Sequence, residues 1–297
     1  MRVTQKITTS NFIRNIHQQA GDILKAQEQI ATHKRINKIS DDPIGMGRVL
    51  GYRSNIAAIE QYEENIDQGI NQLEFNEITL DFASDLILTA RRVAEEYSAE
   101  GTTAEQKQFA ADQVKDLYDQ VISLANSKFN NNYIFSGHAT DTPPFAADGS
   151  YNGDDGKVRL MVGDNVEISF EADGSKIFGA NGGVDIFGEL QNLITGLENP
   201  DAAAGSAQIK ATVSPLFNAR QQINDRRAEY APALYRLKYT DEYWANLKSK
   251  VQGSLADTEQ ADIVKAALEL NNLQVAYETT LATAARIIQP SLMDFLR

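Results

Sequence analysis

Residues 263–288 read IVKAALELNNLQVAYETTLATAARII. Within this stretch Ile263, Ala267, Leu270, Gln274, Tyr277, Leu281, Ala284 and Ile288 are spaced alternately four and three residues apart. That spacing puts them on one face of an α-helix as a heptad stripe, the pattern of a helix that coils against another. Asp257 with Gln260 is a capping-box pair that would start such a helix. Gly253 punctuates the chain before it, and Pro290 is expected to end it. Beyond Pro290, Ser291 to Arg297 form a short amphipathic tail containing Leu292 and Phe295.

The opposite end of the chain carries a matching signal. Ile13, Ile16, Ala20, Ile23 and Ile30 make a second heptad stripe, with Gln27 at the skipped position, and the pattern stops near Asn37. Asp42 is a good N-cap and Pro43 suits the first helical position, where a missing N–H costs nothing. A helix starting there continues through Tyr52, Ile56, Ile59, Ile66, Ile70 and Leu73. It shifts phase near Phe75 and runs on to Tyr97. Its length of roughly 50 residues favours an extended rod over a globular bundle. Thr102 with Glu105 reads as the cap of a third helix that ends near Phe129.

The composition changes after Asn130. Val158, Leu160 and Val162 alternate with polar residues, as do Val166, Ile168 and Phe170. Gly163-Asp164-Asn165 lies between the two runs, a β-hairpin signature. A short helix is expected over Val184 to Leu197. Helix then returns from about Ala207, carrying Ile209, Leu216, Ile223, Leu234, Leu237 and Trp244. The expected fold class is therefore mainly α with a β-containing insert. Both chain ends supply a long antiparallel helical rod, and a small α+β domain lies in the middle. The divisions fall at residues 1–40, 41–145, 146–206, 207–253 and 254–297. The first and last are coiled-coil helices, 41–145 and 207–253 form the rod, and 146–206 is an acidic, β-rich insert.

Composition excludes several function classes. The 297-residue chain is 42% hydrophobic with a formal charge of −13, and most of that charge falls in the insert. An acidic protein lacks the basic face that nucleic acid or an anionic membrane requires, so neither is an expected partner. There is no cysteine, so disulfides and thiolate metal sites are out. Residues 1–15 lack the continuous apolar stretch of a secretory signal.

The search for catalytic chemistry also comes up empty. His17, His33 and His138 stand without an acid–thiol cluster. Asp148, Ser150 and Asn152 resemble the start of a calcium loop, but Arg159 occupies the position of the bidentate glutamate. Gly45, Gly47 and Gly51 miss the dinucleotide fingerprint by one residue, and no strand precedes them. No enzyme activity, cofactor or metal is expected.

Helices at both ends leave apolar groups such as Leu24, Leu268 and Ile287 beyond any two-helix seam. Pattern alone leaves two solutions open, a polymer of many copies and an intramolecular bundle. A resemblance bears on the choice. Ala31-Thr32-His33-Lys34-Arg35-Ile36-Asn37-Lys38-Ile39-Ser40-Asp41-Asp42-Pro43-Ile44-Gly45 resembles the N-terminal signature of the bacterial flagellin superfamily. Leu255 to Asp262, and the closing Ser291 to Arg297, are similar to its C-terminal signatures. Within the superfamily the chain looks more like the hook–filament junction group than the filament flagellins. The similarity lies in Asn131-Asn132-Tyr133-Ile134-Phe135-Ser136-Gly137, Thr140 to Phe145, Met1 to Thr4 and Arg227-Ala228-Glu229. Tyr230-Ala231-Pro232 departs from the group's pattern, and Pro232 is expected to kink its helix.

The resemblance implies a structural subunit of the bacterial flagellum that forms the junction between hook and filament. The alternatives are a short filament flagellin, or a surface adhesin acting through the acidic insert. The implied partners are further copies in a ring-like homo-oligomer, flagellin, the other hook–filament junction protein, and a flagellar export chaperone on the row from Ile263 to Ile288. Secretion would use the flagellar type III route without a cleaved signal peptide. The chain ends would be disordered until assembly, as short unpartnered helices are marginal in water. The expected assembly interface comprises Ile13, Ile16, Ile23, Ile30, Arg35, Asn37, Ile263, Leu270, Tyr277, Leu281, Ile288, Leu292 and Phe295. Arg35 is expected to pair with an acid across a subunit contact. Tyr133, Phe135 and Phe145 are expected to pack where insert meets rod.

Overall fold

The computed structural model describes residues 2–99, 101–179, 181 and 183–295, and within these the side chains of residues 7, 9–170 and 172–285. The elements run α1 (Arg2–Thr32), α2 (Pro43–Tyr97), α3 (Ala104–Ala125), β1 (Lys128–Phe129), β2 (Asn132–Tyr133), β3 (Lys157–Gly163), β4 (Val166–Glu171), α4 (Gly174–Ile177), α5 (Ile186–Leu197), α6 (Ala202–Glu259) and α7 (Ile263–Phe295). The protein is mainly helical, with long helices from both chain ends and a small strand-containing region. Two compact units emerge, one from residues 1–58 with 246–297, the other from residues 59–245.

In the larger unit α2 and α6 run antiparallel. Their pairing can be followed from Tyr62 beside Trp244 (ring centroids 5.2 Å apart), through Lys238 to Glu74 (3.0 Å), to Arg227 between Glu77 and Asp81. Leu73, Leu80 and Ile87 of α2 and Leu216, Ile223 and Leu237 of α6 are fully buried in one apolar cluster. Residues 146–206 share that cluster through Val162, Ile168, Phe178, Phe187 and Leu190. Of the three rings expected at the insert's root, Phe135 and Phe145 are buried, each edge-on to Phe178, whereas Tyr133 is only half-buried, with the Lys128 ammonium over its ring. Gly69 of α2 lets β3 approach closely, because a Cβ there would collide with the Leu160 side chain.

The hairpin forms as expected, with a register shift between Met161 and Gly163. The turn itself is Asp164-Asn165, and Asn165 has φ 58°, a left-handed conformation that asparagine tolerates. A second, smaller hairpin joins β1 to β2. Its Asn130 and Asn131 both have positive φ, the requirement of a two-residue primed turn. The third helix ends at Ala125, earlier than the expected Phe129, because Asn126 caps it and β1 begins at Lys128.

Several expected boundaries are corrected. The cap of α3 is Thr103 with Gln106, one residue later than Thr102 with Glu105. The Gln106 N–H donates to Thr103 Oγ1 (3.3 Å), and the Thr103 N–H donates to Gln106 Oε1 (2.9 Å). Two threonines precede a Glu-Gln pair, so the signature fits twice. α1 stops at Thr32, before Asn37, because His33 turns left-handed with φ 60°. Gly253 does not interrupt α6, and the helix continues through Pro215 and Pro232. Asp257 lies inside that helix, and Asp262 caps α7 instead, accepting the Lys265 N–H at 3.0 Å. Helix α7 also runs past Pro290 to Phe295.

Candidate assembly interface

The smaller unit brings the chain's two ends together. α1 packs along α7. The turn after α1 meets the turn before α7 through the antiparallel bridge Lys34–Gln260, so the helices run in opposite directions.

Burial along each helix shows which residues form the seam. On α7 the half-buried and buried positions are Ile263, Ala266, Leu270, Leu273, Tyr277, Thr280 and Ala284, whereas Ala267, Gln274 and Leu281 are exposed. On α1 they include Phe12, Ile16, Gln19, Ile23, Ala26 and Ile30, whereas Ile13 and Gln27 are exposed. Both seams keep one row of the expected stripe and take the neighbouring row one residue earlier. Ile13 and Leu281 therefore lie off the intrachain seam. The side chains of Ile288, Leu292 and Phe295 lie outside those described.

Both helices also carry apolar residues that the seam does not cover. Val264, Leu268 and Val275 are 72, 62 and 58% exposed, and their spacing of four and then seven residues aligns them along α7. On α1, Ile13 and Leu24 are 52 and 66% exposed, eleven residues apart and thus also on one face.

The segment between α1 and α2 forms a tightly bonded corner. The Arg35 N–H donates to the Glu259 carbonyl at 2.6 Å, and the Ala261 N–H donates to the His33 carbonyl at 3.0 Å. The Arg35 guanidinium donates to the Thr258 carbonyl at 3.0 Å and lies 3.5 Å from Asp42. Within its own chain Arg35 thus reaches the Thr258 carbonyl and the Asp42 carboxylate. The Asn37 amide donates to the Lys34 carbonyl at 3.0 Å. Ile36 is buried to 2% exposure and sits beneath Gly45, whose missing side chain makes room for it and for the Asp42 carboxylate. Asp42 caps α2 by accepting the Gly45 N–H at 2.8 Å. Each residue of the Arg-Ile-Asn run therefore has a local task in the turn.

Two carboxylates organise the charge. Glu259, only 6% exposed, receives both Lys34 (2.8 Å) and Arg53. Asp41 accepts the N–H groups of Asn37 (3.2 Å) and Lys38 (3.0 Å) and pairs with Lys25 at 3.1 Å. Burial pushes the Asp41 carboxyl upward. The hydrogen bonds from Lys38, Lys25 and Asn37 outweigh it and hold the group below the usual carboxylate range. Sequence reasoning missed Thr258 and Glu259, whose roles depend on a partner more than 200 residues away. It also missed Leu273, although an apolar residue next to Gln274 was a usable signal.

The remaining chemical candidates take structural positions. Asp148 accepts the Ser150 N–H and hydroxyl at 3.0 and 2.6 Å, a turn closed on itself. His138 lies 3.6 Å from Asp154, which also accepts its backbone N–H at 2.7 Å. Among the described residues no group of three or more His, Asp or Glu is placed to hold a metal ion. No helix among them is long and apolar enough to cross a membrane.

Comparison with known proteins fits this architecture. Residues 3–140 match the family model for the bacterial flagellin N-terminal helical region. Flagellar hook-associated protein 3 of Salmonella typhimurium is 25% identical over 304 aligned positions, covering 94% of this chain and 96% of the relative. The crystal structure of Xanthomonas campestris FlgL superposes with a TM-score of 0.61 at 16% identity, covering 68% of this chain and 98% of that one. The flagellar junction protein FlgL of Legionella pneumophila gives a TM-score of 0.57 at 14% identity, covering 71% and 100%. At those identities the two structures speak to the fold. Residues 3–140 thus resemble the flagellin N-terminal helical region, and the chain as a whole is similar to flagellar hook-associated protein 3.

Proposed function

We propose that this protein is a structural subunit of the bacterial flagellum that forms the junction between hook and filament. The near full-length similarity to a hook-associated protein supports that reading over a short filament flagellin or an adhesin. The structural observation that carries it is the row of exposed apolar residues along α7. Val264, Leu268 and Val275 are too exposed for a stable monomer surface to need them, and spaced so that another helix can cover them.

Further copies of the chain cover this face in a ring-like homo-oligomer, with flagellin on one side and the other hook–filament junction protein on the other. Before assembly a flagellar export chaperone covers the C-terminal row from Ile263 to Ile288. The chain leaves the cell unfolded through the flagellar exporter, a route that the absence of cysteine suits. The role is structural and not enzymatic. Ile13 and Leu281, exposed on the pair, belong to the contact between copies. Ile16, Ile23, Ile30, Ile263, Leu270 and Tyr277 hold the pair together, and Ile288, Leu292 and Phe295 extend the surface.

The test is complementation of a strain lacking the gene with a Leu268→Asp, Val275→Asp double variant. The proposal expects a helical, exported subunit that fails to join the flagellum. Normal incorporation of the variant would overturn it. Charging Leu270 and Leu281 tests the chaperone surface in the same way, and unchanged chaperone binding would refute that placement.

A further inference from the structure

The larger unit contains a cleft that the assembly surface does not use. It lies between the β3–β4 turn and α6 and encloses about 390 Å³. Asp164 and Val166 line it from the hairpin, and Tyr239, Thr240, Tyr243 and Trp244 line it from the helix.

Its chemistry is one-sided. Trp244 is held in place because its indole N–H donates to the Val162 carbonyl at 2.6 Å. The rings of Tyr62 and Tyr243 flank it, each with its centroid 5.2 Å away. With the N–H engaged, Trp244 offers the cleft only π surface. Tyr239 and Tyr243 are 66 and 55% exposed, so large rings meet solvent here. The Thr240 hydroxyl donates to the Arg236 carbonyl at 2.7 Å, leaving its lone pairs as acceptors. Asp164 adds a carboxylate. Aromatic faces, a carboxylate and a hydroxyl lone pair all favour positive charge, and no lining side chain is cationic. The chain's charge of −13 works in the same direction at longer range.

We propose that this cleft is a cation-binding site that takes an arginine side chain from a neighbouring polypeptide. A guanidinium is flat, stacks on an aromatic face and presents its edge to a carboxylate, whereas a compact ammonium does only part of this. The aliphatic stem has Val166 to lie against. The cation site stands on its own geometry, and only the neighbouring chain as the source of the arginine rests on the flagellar reading.

The protein reports on the site directly, because Trp244 is its only tryptophan. Purified full-length protein is titrated with Nα-acetyl-arginine amide, with Nα-acetyl-citrulline amide as the neutral isostere, at matched ionic strength. Tryptophan emission is followed under excitation that tyrosine does not absorb. Saturable quenching by the arginine compound is expected, with binding about tenfold weaker for the citrulline compound. Asp164→Asn and Tyr239→Leu should each weaken arginine binding roughly fivefold or more. Both positions are exposed, and an unchanged circular dichroism spectrum shows that the variants still fold. Absent or non-saturating quenching, equal affinity for the two compounds, or full affinity in both variants would each overturn the proposal. None of these results depends on whether the protein sits in a flagellum.

Discussion

Arg35 and Glu259 are joined through the backbone, the Arg35 N–H donating to the Glu259 carbonyl at 2.6 Å. Their side chains engage other groups, Arg35 the Thr258 carbonyl and Glu259 the cations of Lys34 and Arg53. This contact locks the turn that follows α1 to the turn that precedes α7. The two terminal helices therefore emerge side by side and antiparallel. Glu259→Ala removes the buried acceptor, but the cations it releases are half exposed and can rehydrate. A loss of about 1–2 kcal/mol is expected, seen as a lower melting temperature. Lys34→Ala should cost clearly less.

The seam register makes a sharper prediction. Leu273 lies in the α1–α7 contact and Gln274 does not. Leu273→Asp places a charge in the seam and should destabilise the pair by about 2 kcal/mol or more. Gln274→Asp should change stability by less than about 0.5 kcal/mol. Thermal melts of the two variants, followed by circular dichroism at the helical band, check the order.

Acid should loosen the corner. The Asp41 carboxyl titrates below its ordinary value in the folded protein. Its contribution is therefore complete above the unfolded-state value near pH 4 and is lost as pH falls through the lower folded value. Asp41→Asn abolishes that contribution at every pH. Melting temperatures measured from neutral pH downward should fall less steeply for the variant, and the two proteins should converge at the acid end.

In the larger unit, Gln222 holds the segment before α5 against α6. Its Oε1 accepts the Val184 N–H at 2.9 Å, while its Nε2 donates to the carbonyls of Val184 (3.1 Å) and Ile177 (3.0 Å). Gln222→Leu keeps much of the volume and strands three backbone groups. A loss of about 2–4 kcal/mol is expected in urea denaturation. Gln222→Glu keeps the acceptor and should fall between.

Much of this architecture was legible in the sequence, because heptad spacing and turn chemistry are local signals. Asp42-Pro43 marked the start of α2, and Asp164-Asn165 lay in the segment read as the hairpin turn. The register of the seam was harder to read. Ile263, Leu270, Tyr277 and Ala284 belong to both possible rows, and the choice between rows is made by the facing helix. The corner was hidden for a related reason. Arg35 bonds to a backbone carbonyl, which no side-chain pattern announces, and Glu259 gains its role only when Lys34 and Arg53 arrive from the other end of the chain. The shared core of residues 146–206 depends likewise on Leu73 and Leu216, distant residues that periodicity cannot pair.

On the proposed function this subunit joins hook to filament. Flagella of cells lacking the gene, examined by electron microscopy together with an assay for flagellin in the medium, test it most directly. Finished hooks without filaments, with flagellin shed into the medium, are expected. Hooks bearing intact filaments would contradict it.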